Sequence, residues 1–255
     1  MIATEIGYVY YLIDDFFELL WPVIFIAAGG VLISLSVHFI PVGGAPAAMA
    51  QATGVGTGTT QLAAGAGLTG LLIAAAVSLQ THDFGLVLFL GAIGSTIMIA
   101  VVMLMANTVY IYGVGCPPAS GKSAKDPITK DRQDIYVSKG TEGHGIPTVC
   151  FISGLIGGFL GGLGGSLIFE ILFTLCGGML VLPVTAASVA IMLSIALFFI
   201  NAVIASYNIS GTIEGFHDPK FKKWKKAALV SAIMTFVFGF LCVLVIQFIG
   251  GGIWF

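Results

Sequence analysis

All ten lysines and arginines of this 255-residue chain fall within two segments, 113–147 and 208–226. Outside those segments the chain runs in apolar stretches of about 20 residues, the length a helix needs to cross about 30 Å of hydrocarbon. Charged residues make up 9% of the chain and hydrophobic ones 58%, whereas a soluble domain carries about 25% charged residues. A soluble globule of this make-up would lack the polar surface to cover itself. The reading is therefore an all-α, polytopic membrane protein, which excludes the soluble enzyme classes. A net charge of -2 offers no electrostatic footprint for nucleic acid.

About six spans are predicted, at 19–40, 61–79, 84–112, 148–175, 184–207 and 227–249, forming a single integral membrane domain over 1–255. Pro22 stands near the start of the first, where a helix tolerates a missing N–H. Segment 41–60, rich in Gly, Ala and Thr and broken by Gly54, Gly56 and Gly58, reads as a loop or a re-entrant hairpin. The short polar break Gln80, Thr81, His82, Asp83 leaves room only for a helical hairpin. Segment 113–147 reads as a hydrophilic loop with at most a little local structure. Spans four and five separate the two basic segments, which therefore share a side; basic loops are retained in the cytoplasm, so both termini are predicted extracytoplasmic. The N-terminal stretch carries Glu5, Asp14, Asp15 and Glu18 and no basic residue, unlike a signal peptide, and no cleavage is expected.

The densest glycine signal is SGLIGGFLGGLGGS, in which Gly154, Gly158 and Gly162 form one four-residue series and Gly157, Gly161 and Gly165 another. Such spacing bares backbone along helix faces, where close approach supplies the adhesion that apolar burial does not give in lipid. Packing or subunit assembly is the first reading, and an ion path lined by backbone carbonyls the second. Glu170 is the single carboxylate inside a predicted span, and an ionisable group in hydrocarbon is a functional candidate by default. Counted from the start of its span it lies on the order of 30 Å along the helix, close enough to the outer headgroups either to snorkel to water or to bind a cation. Sodium and other hard cations take oxygen ligands, and Ser166 and Thr174, four residues to either side, share its helix face.

Other patterns carry less. Two H-x-x-P pieces, His38 to Pro41 and His144 to Pro147, each flank a Gly-rich stretch, as paired broken helices of an internal repeat do. His82–Asp83 and His217–Asp218 read as ordinary loop residues. Cys116, Cys150, Cys176 and Cys242 are far apart and signal neither a zinc nor a redox motif; buried thiols act as small hydrophobes. GCPPASGKS at 115–123 has one residue too many between its glycines for a phosphate-binding loop and follows a membrane helix. Asp14, Asp15 and Glu18 form D-D-x-x-E, and Asp131 with Asp134 forms D-x-x-D. The predicted topology puts these groups on opposite faces, so they share no metal. Hydrolytic motifs are absent from the sequence.

At 37–72 (VHFIPVGGAPAAMAQATGVGTGTTQLAAGAGLTGLL) and 140–158 (GTEGHGIPTVCFISGLIGG) the chain closely resembles the D subunit of the tetrahydromethanopterin S-methyltransferase of methanogenic archaea. The resemblance implies a membrane complex of eight subunits that moves a methyl group from methyl-tetrahydromethanopterin, through a corrinoid held by another subunit, to coenzyme M, and couples the transfer to sodium export. It implies that the C, D and E subunits form the membrane core, that this chain binds no cofactor and performs no methyl-transfer chemistry, and that it resides in the archaeal cytoplasmic membrane. The alternative expectation is a free-standing secondary transporter built on an inverted repeat, which the H-x-x-P pieces support.

Overall fold

A computed structural model describes residues 2–41, 57–138, 143–177 and 183–249. Among these residues the chain forms six α-helices: α1 Ile2–Phe39, α2 Thr57–Ser78, α3 Phe84–Thr108, α4 Thr148–Gly177, α5 Pro183–Ile209 and α6 Trp224–Ile249. No strand forms among the described residues, only two isolated bridges within the hydrophilic segment. Five helical stretches are long and apolar enough to cross a membrane, Glu18–Phe39, Phe84–Val114, Thr148–Gly177, Thr185–Ile209 and Pro219–Phe248, and Gly65–Ser78 is a shorter apolar one. The protein is a polytopic helical membrane protein. Most of the Gly-rich segment for which a loop or a re-entrant hairpin is predicted lies outside the described residues.

Local chemistry sets the helix ends. Asp83 caps α3, its Oδ1 accepting the Leu86 N–H at 3.0 Å, so the predicted polar break is the turn of an α2–α3 hairpin. At its other end α3 widens into a π-helical turn, Val109–Val114, which Gly115 closes at φ 75°, a left-handed conformation that glycine adopts without strain. One expectation needs correction: Pro22 is not at a helix start, because α1 begins at Ile2 and carries Pro22 in its interior. Hydropathy marks where a helix enters lipid, whereas the acidic turns before Glu18 continue the same helix beyond that point.

The bundle is organised around α4, which touches all five other helices. Its apolar window is 61% buried against 33% for that of α6, so α4 is the axis and α6 a flank. The two glycine series make this possible. Met103, Ile99, Ser95 and Gly91 of α3 lie against Gly154, Gly158 and Gly162, a four-residue ridge seated in a four-residue groove. On another side Phe39, Ser36 and Gly29 of α1 meet Gly157, Gly161 and Gly164. Gly165 faces the Phe198 ring of α5. Between α5 and α6, fully buried Thr235 donates to Asn201 Oδ1 at 2.8 Å, and Asn201 donates to Leu197 O at 2.8 Å, a hydrogen-bonded tie of the kind that joins helices in lipid.

Candidate functional site

Glu170 lies on α4 toward the end remote from the hydrophilic segments, and its carboxylate does not reach the bundle's periphery. The residue is 7% exposed, and its Oε2 accepts a hydrogen bond from Ser78 Oγ, itself on a 3% exposed residue, at 2.5 Å. Among the described residues no ion pair includes Glu170. Among the described residues the Ser78 hydroxyl is the hydrogen-bond donor to this carboxylate, which leaves it lone pairs of the kind a hard cation takes as ligands. Ser166 Oγ donates to Gly162 O at 2.7 Å and Thr174 Oγ1 to Glu170's own backbone carbonyl at 2.8 Å. The structure thus brings Ser78 onto the carboxylate, while the hydroxyls of Ser166 and Thr174 turn back to the α4 backbone. The six predicted interface glycines, Gly154, Gly157, Gly158, Gly161, Gly162 and Gly165, all face neighbouring helices of this same chain.

At the opposite end the two basic segments fold over the bundle and onto each other. Asp126, 2% exposed, accepts N–H groups from Ile128 at 2.7 Å and Thr129 at 3.1 Å on Oδ1, and from Val149 at 3.0 Å and the Gln133 amide at 3.1 Å on Oδ2. Burial pushes its carboxyl upward, but the donors from Val149, Ile128, Thr129 and Gln133 outweigh burial and hold it below the usual range. Val149 lies in the first turn of α4, so Asp126 caps that helix from 23 residues away. Asp126→Ala is expected to destabilise the protein by about 1–2 kcal/mol, the ordinary loss of a capping acceptor. The check is faster hydrogen exchange at Val149 with α6 unaffected.

Glu214 fastens the second segment to the first. Its Oε1 accepts from Gly121 N at 2.8 Å and Gly143 N at 3.3 Å, and its Oε2 accepts from Ser120 Oγ and lies 3.3 Å from His217 Nε2. Burial raises this carboxyl, and the hydrogen bonds from His217, Ser120 and Gly121 more than offset it, so the group sits below its ordinary value. The Glu214 N–H in turn donates to Asp218 Oδ2 at 3.1 Å. Below this cap Ser153 Oγ donates to Phe39 O at 2.6 Å and accepts from Phe216 N at 3.0 Å, and Asn107 exchanges two hydrogen bonds with the Ile146 backbone at 2.9 and 2.7 Å. His38 ends α1 and His144 precedes α4, so the H-x-x-P pieces sit at helix ends. Among its described residues, segment 113–147 is a loop with turns and two isolated bridges after Val114, as expected, and buried carboxylates tie it down.

Sequence reasoning misses Ser78, Asp126, Glu214 and His217 as structural partners. Only Ser78 leaves a signal, as the last residue of the helix before the polar break, and hydroxyls are too common in this chain for that to single it out.

A bundle with five helices long and apolar enough to cross a membrane, and a folded polar cap at one end, is a multi-span membrane protein. The family model for the D subunit of tetrahydromethanopterin S-methyltransferase matches residues 19–235. The chain is 56% identical to that subunit of Methanosarcina mazei over 92% of this chain and 97% of the relative. It is 56% identical to that of Methanothermobacter marburgensis over 87% and 94%, and 52% identical to that of Methanocaldococcus jannaschii over 91% and 99%. The chain belongs to the family of tetrahydromethanopterin S-methyltransferase D subunits.

Proposed function

We propose that this chain is part of the sodium-translocating membrane core of a complex that passes a methyl group from methyl-tetrahydromethanopterin, through a corrinoid on another subunit, to coenzyme M. The observation that carries the reading is Glu170, a carboxylate buried in the bundle with Ser78 as its hydrogen-bond donor in a chain of this family. Its partners are the other subunits of the complex, above all the multi-span C and E subunits and the corrinoid subunit. The chain itself binds no cofactor and carries no methyl-transfer residue. It lies in the archaeal cytoplasmic membrane, with the basic cap in the cytoplasm as the positive-inside rule requires and both termini outside. Methylation-dependent movement of the corrinoid subunit biases the helices between two states that differ in sodium exposure or affinity, as any coupled translocation needs.

The test is gentle purification of the complex from native membranes carrying wild-type chain or Glu170→Gln, followed by sodium titration of methyl transfer to coenzyme M. The expected result is that Glu170→Gln assembles with its partners and needs at least about tenfold more sodium for half-maximal stimulation, a loss of about 1.4 kcal/mol of ion binding. An unchanged sodium requirement removes Glu170 from the path. Recovery of the wild-type chain without partners, under conditions where a control complex survives, overturns membership in favour of a free-standing transporter.

A further inference from the structure

We infer that Cys150, Glu214 and His217 form a binding site for a thiophilic divalent cation of the zinc class, placed where α4 meets the folded cap. Cys150 is far in the chain from the other two residues, yet one ligand atom from each lies within 4.8 Å of the others. All are enclosed: Cys150 is 2% exposed, and the side chains of Glu214 and His217 are 4% and 7% exposed. Ligand atoms around a tetrahedral zinc at about 2.0–2.3 Å are themselves separated by roughly 3.3–3.8 Å, so closing the site takes a movement of about 1 Å.

The donor set selects the ion. Thiolate with imidazole and carboxylate suits zinc and its neighbours, whereas magnesium and calcium take oxygen alone. Charge agrees as well, since one thiolate and one carboxylate neutralise a divalent cation, the condition for holding ions away from water. Cys150 stands in the first turn of α4, and a zinc-class ion takes it as a thiolate by displacing the thiol proton on binding.

An independent observation concerns the imidazole. His217 Nε2 is 3.1 Å from Ser120 Oγ and 3.3 Å from Glu214 Oε2, while Nδ1 is buried with no hydrogen-bond partner. Nε2 is already served by these two oxygens, so among the described residues Nδ1 is the ring nitrogen that lacks a partner, at a cost of about 1–3 kcal/mol. A cation shared by a ring nitrogen of His217, a carboxylate oxygen of Glu214 and Cys150 Sγ gives the imidazole a second partner, and Ser120 Oγ or a water fills the fourth position. The outer shell is in place: Gly121 and Gly143 hold Glu214 through Oε1, and Asp218 accepts the Glu214 N–H. Such partners orient a ligand for metal. The bound ion cross-links α4 to the 208–226 segment.

The experiment uses the full-length untagged chain in detergent, stripped with chelator and loaded with Zn²⁺ or, as a spectroscopic probe, Co²⁺. About one zinc per chain is expected to survive gel filtration, and the cobalt form is expected to show thiolate-to-metal charge-transfer absorption with tetrahedral ligand-field bands. Cys150→Ser is expected to elute as wild type and to lose the charge-transfer band, His217→Gln to lose retained zinc, and Cys116→Ser, altering the half-buried thiol after α3, to keep both. Zinc at background in the wild-type chain overturns the site, as does a cobalt–thiolate band undiminished in Cys150→Ser. Neither readout involves sodium or methyl transfer, so failure here is separable from failure of the proposed function.

Discussion

Gly162→Ala is expected to destabilise the bundle by about 3 kcal/mol, the upper end of ordinary overpacking, whereas Gly165→Ala in the next turn of α4 is expected to be neutral or slightly stabilising. A Cβ at Gly162 would stand 2.5 Å from Ser95 Cβ, 2.7 Å from Gly91 O and 2.9 Å from Ala92 Cα. Two of those three atoms are backbone, so relief requires α3 to move away from α4 along its length. A Cβ at Gly165 meets the Phe198 ring at 3.4 Å, an ordinary contact, and alanine regains up to about 1 kcal/mol of helix propensity. Thermal aggregation of the detergent-solubilised variants, followed by gel filtration, separates the two. Equal midpoints would show that α3 and α4 do not approach as closely as the glycine groove requires.

Glu214→Ala is expected to release the cap. It leaves the Gly121 and Gly143 N–H groups and the Ser120 hydroxyl without their acceptor, a loss of about 3 kcal/mol or more at roughly 1–3 kcal/mol for each unmet buried group. Glu214→Gln keeps a carbonyl oxygen for the two glycine N–H groups and is expected to lose less. The pH dependence has a definite sign. Because the folded-state value lies below the ordinary one, Glu214 contributes stability above the unfolded pKa of about 4.3, and the contribution disappears as pH falls through the lower folded value. Asp126 is shifted in the same direction and acts with the same sign. Hydrogen exchange at Gly121 and Gly143 is therefore expected to lose protection on acidification below about pH 4. The Glu214→Gln profile is expected to be flatter; an identical profile in both proteins assigns the acid sensitivity elsewhere.

Legibility in the sequence follows the range of the interactions. The long apolar runs and the α2–α3 turn are local features, and composition with one capping aspartate, Asp83, is enough to read them. The interior position of Pro22 is not legible, because hydropathy reports the lipid boundary and the helix extends past it. Glu170 stands out as a lone carboxylate in an apolar run, but its donor Ser78 is 92 residues away and only tertiary packing selects it. Helical spacing points to Ser166 and Thr174, and that spacing also offers each hydroxyl the carbonyl four residues before it, the usual bond of a mid-helix hydroxyl. The cap is hidden most completely. Asp126, Glu214 and His217 look like solvated loop residues until two segments distant in the chain close over them and remove the water.

The glycine groove of α4 also has a property that follows from its period. Notches repeated every four residues are nearly equivalent, so sliding α4 by one turn, about 6 Å at 1.5 Å per residue, would seat Met103 at Gly158 and Ile99 at Gly162 in place of the present Gly154 and Gly158. The middle of the helix therefore does little to choose its own axial position. That choice is made at the extremities, where the Asp126 bond to Val149 and the Ser78 bond to Glu170 each have only one place to form. α4 is indexed like a toothed rack by a stop at either end, and whatever loosens one stop acts on the whole length of the rod.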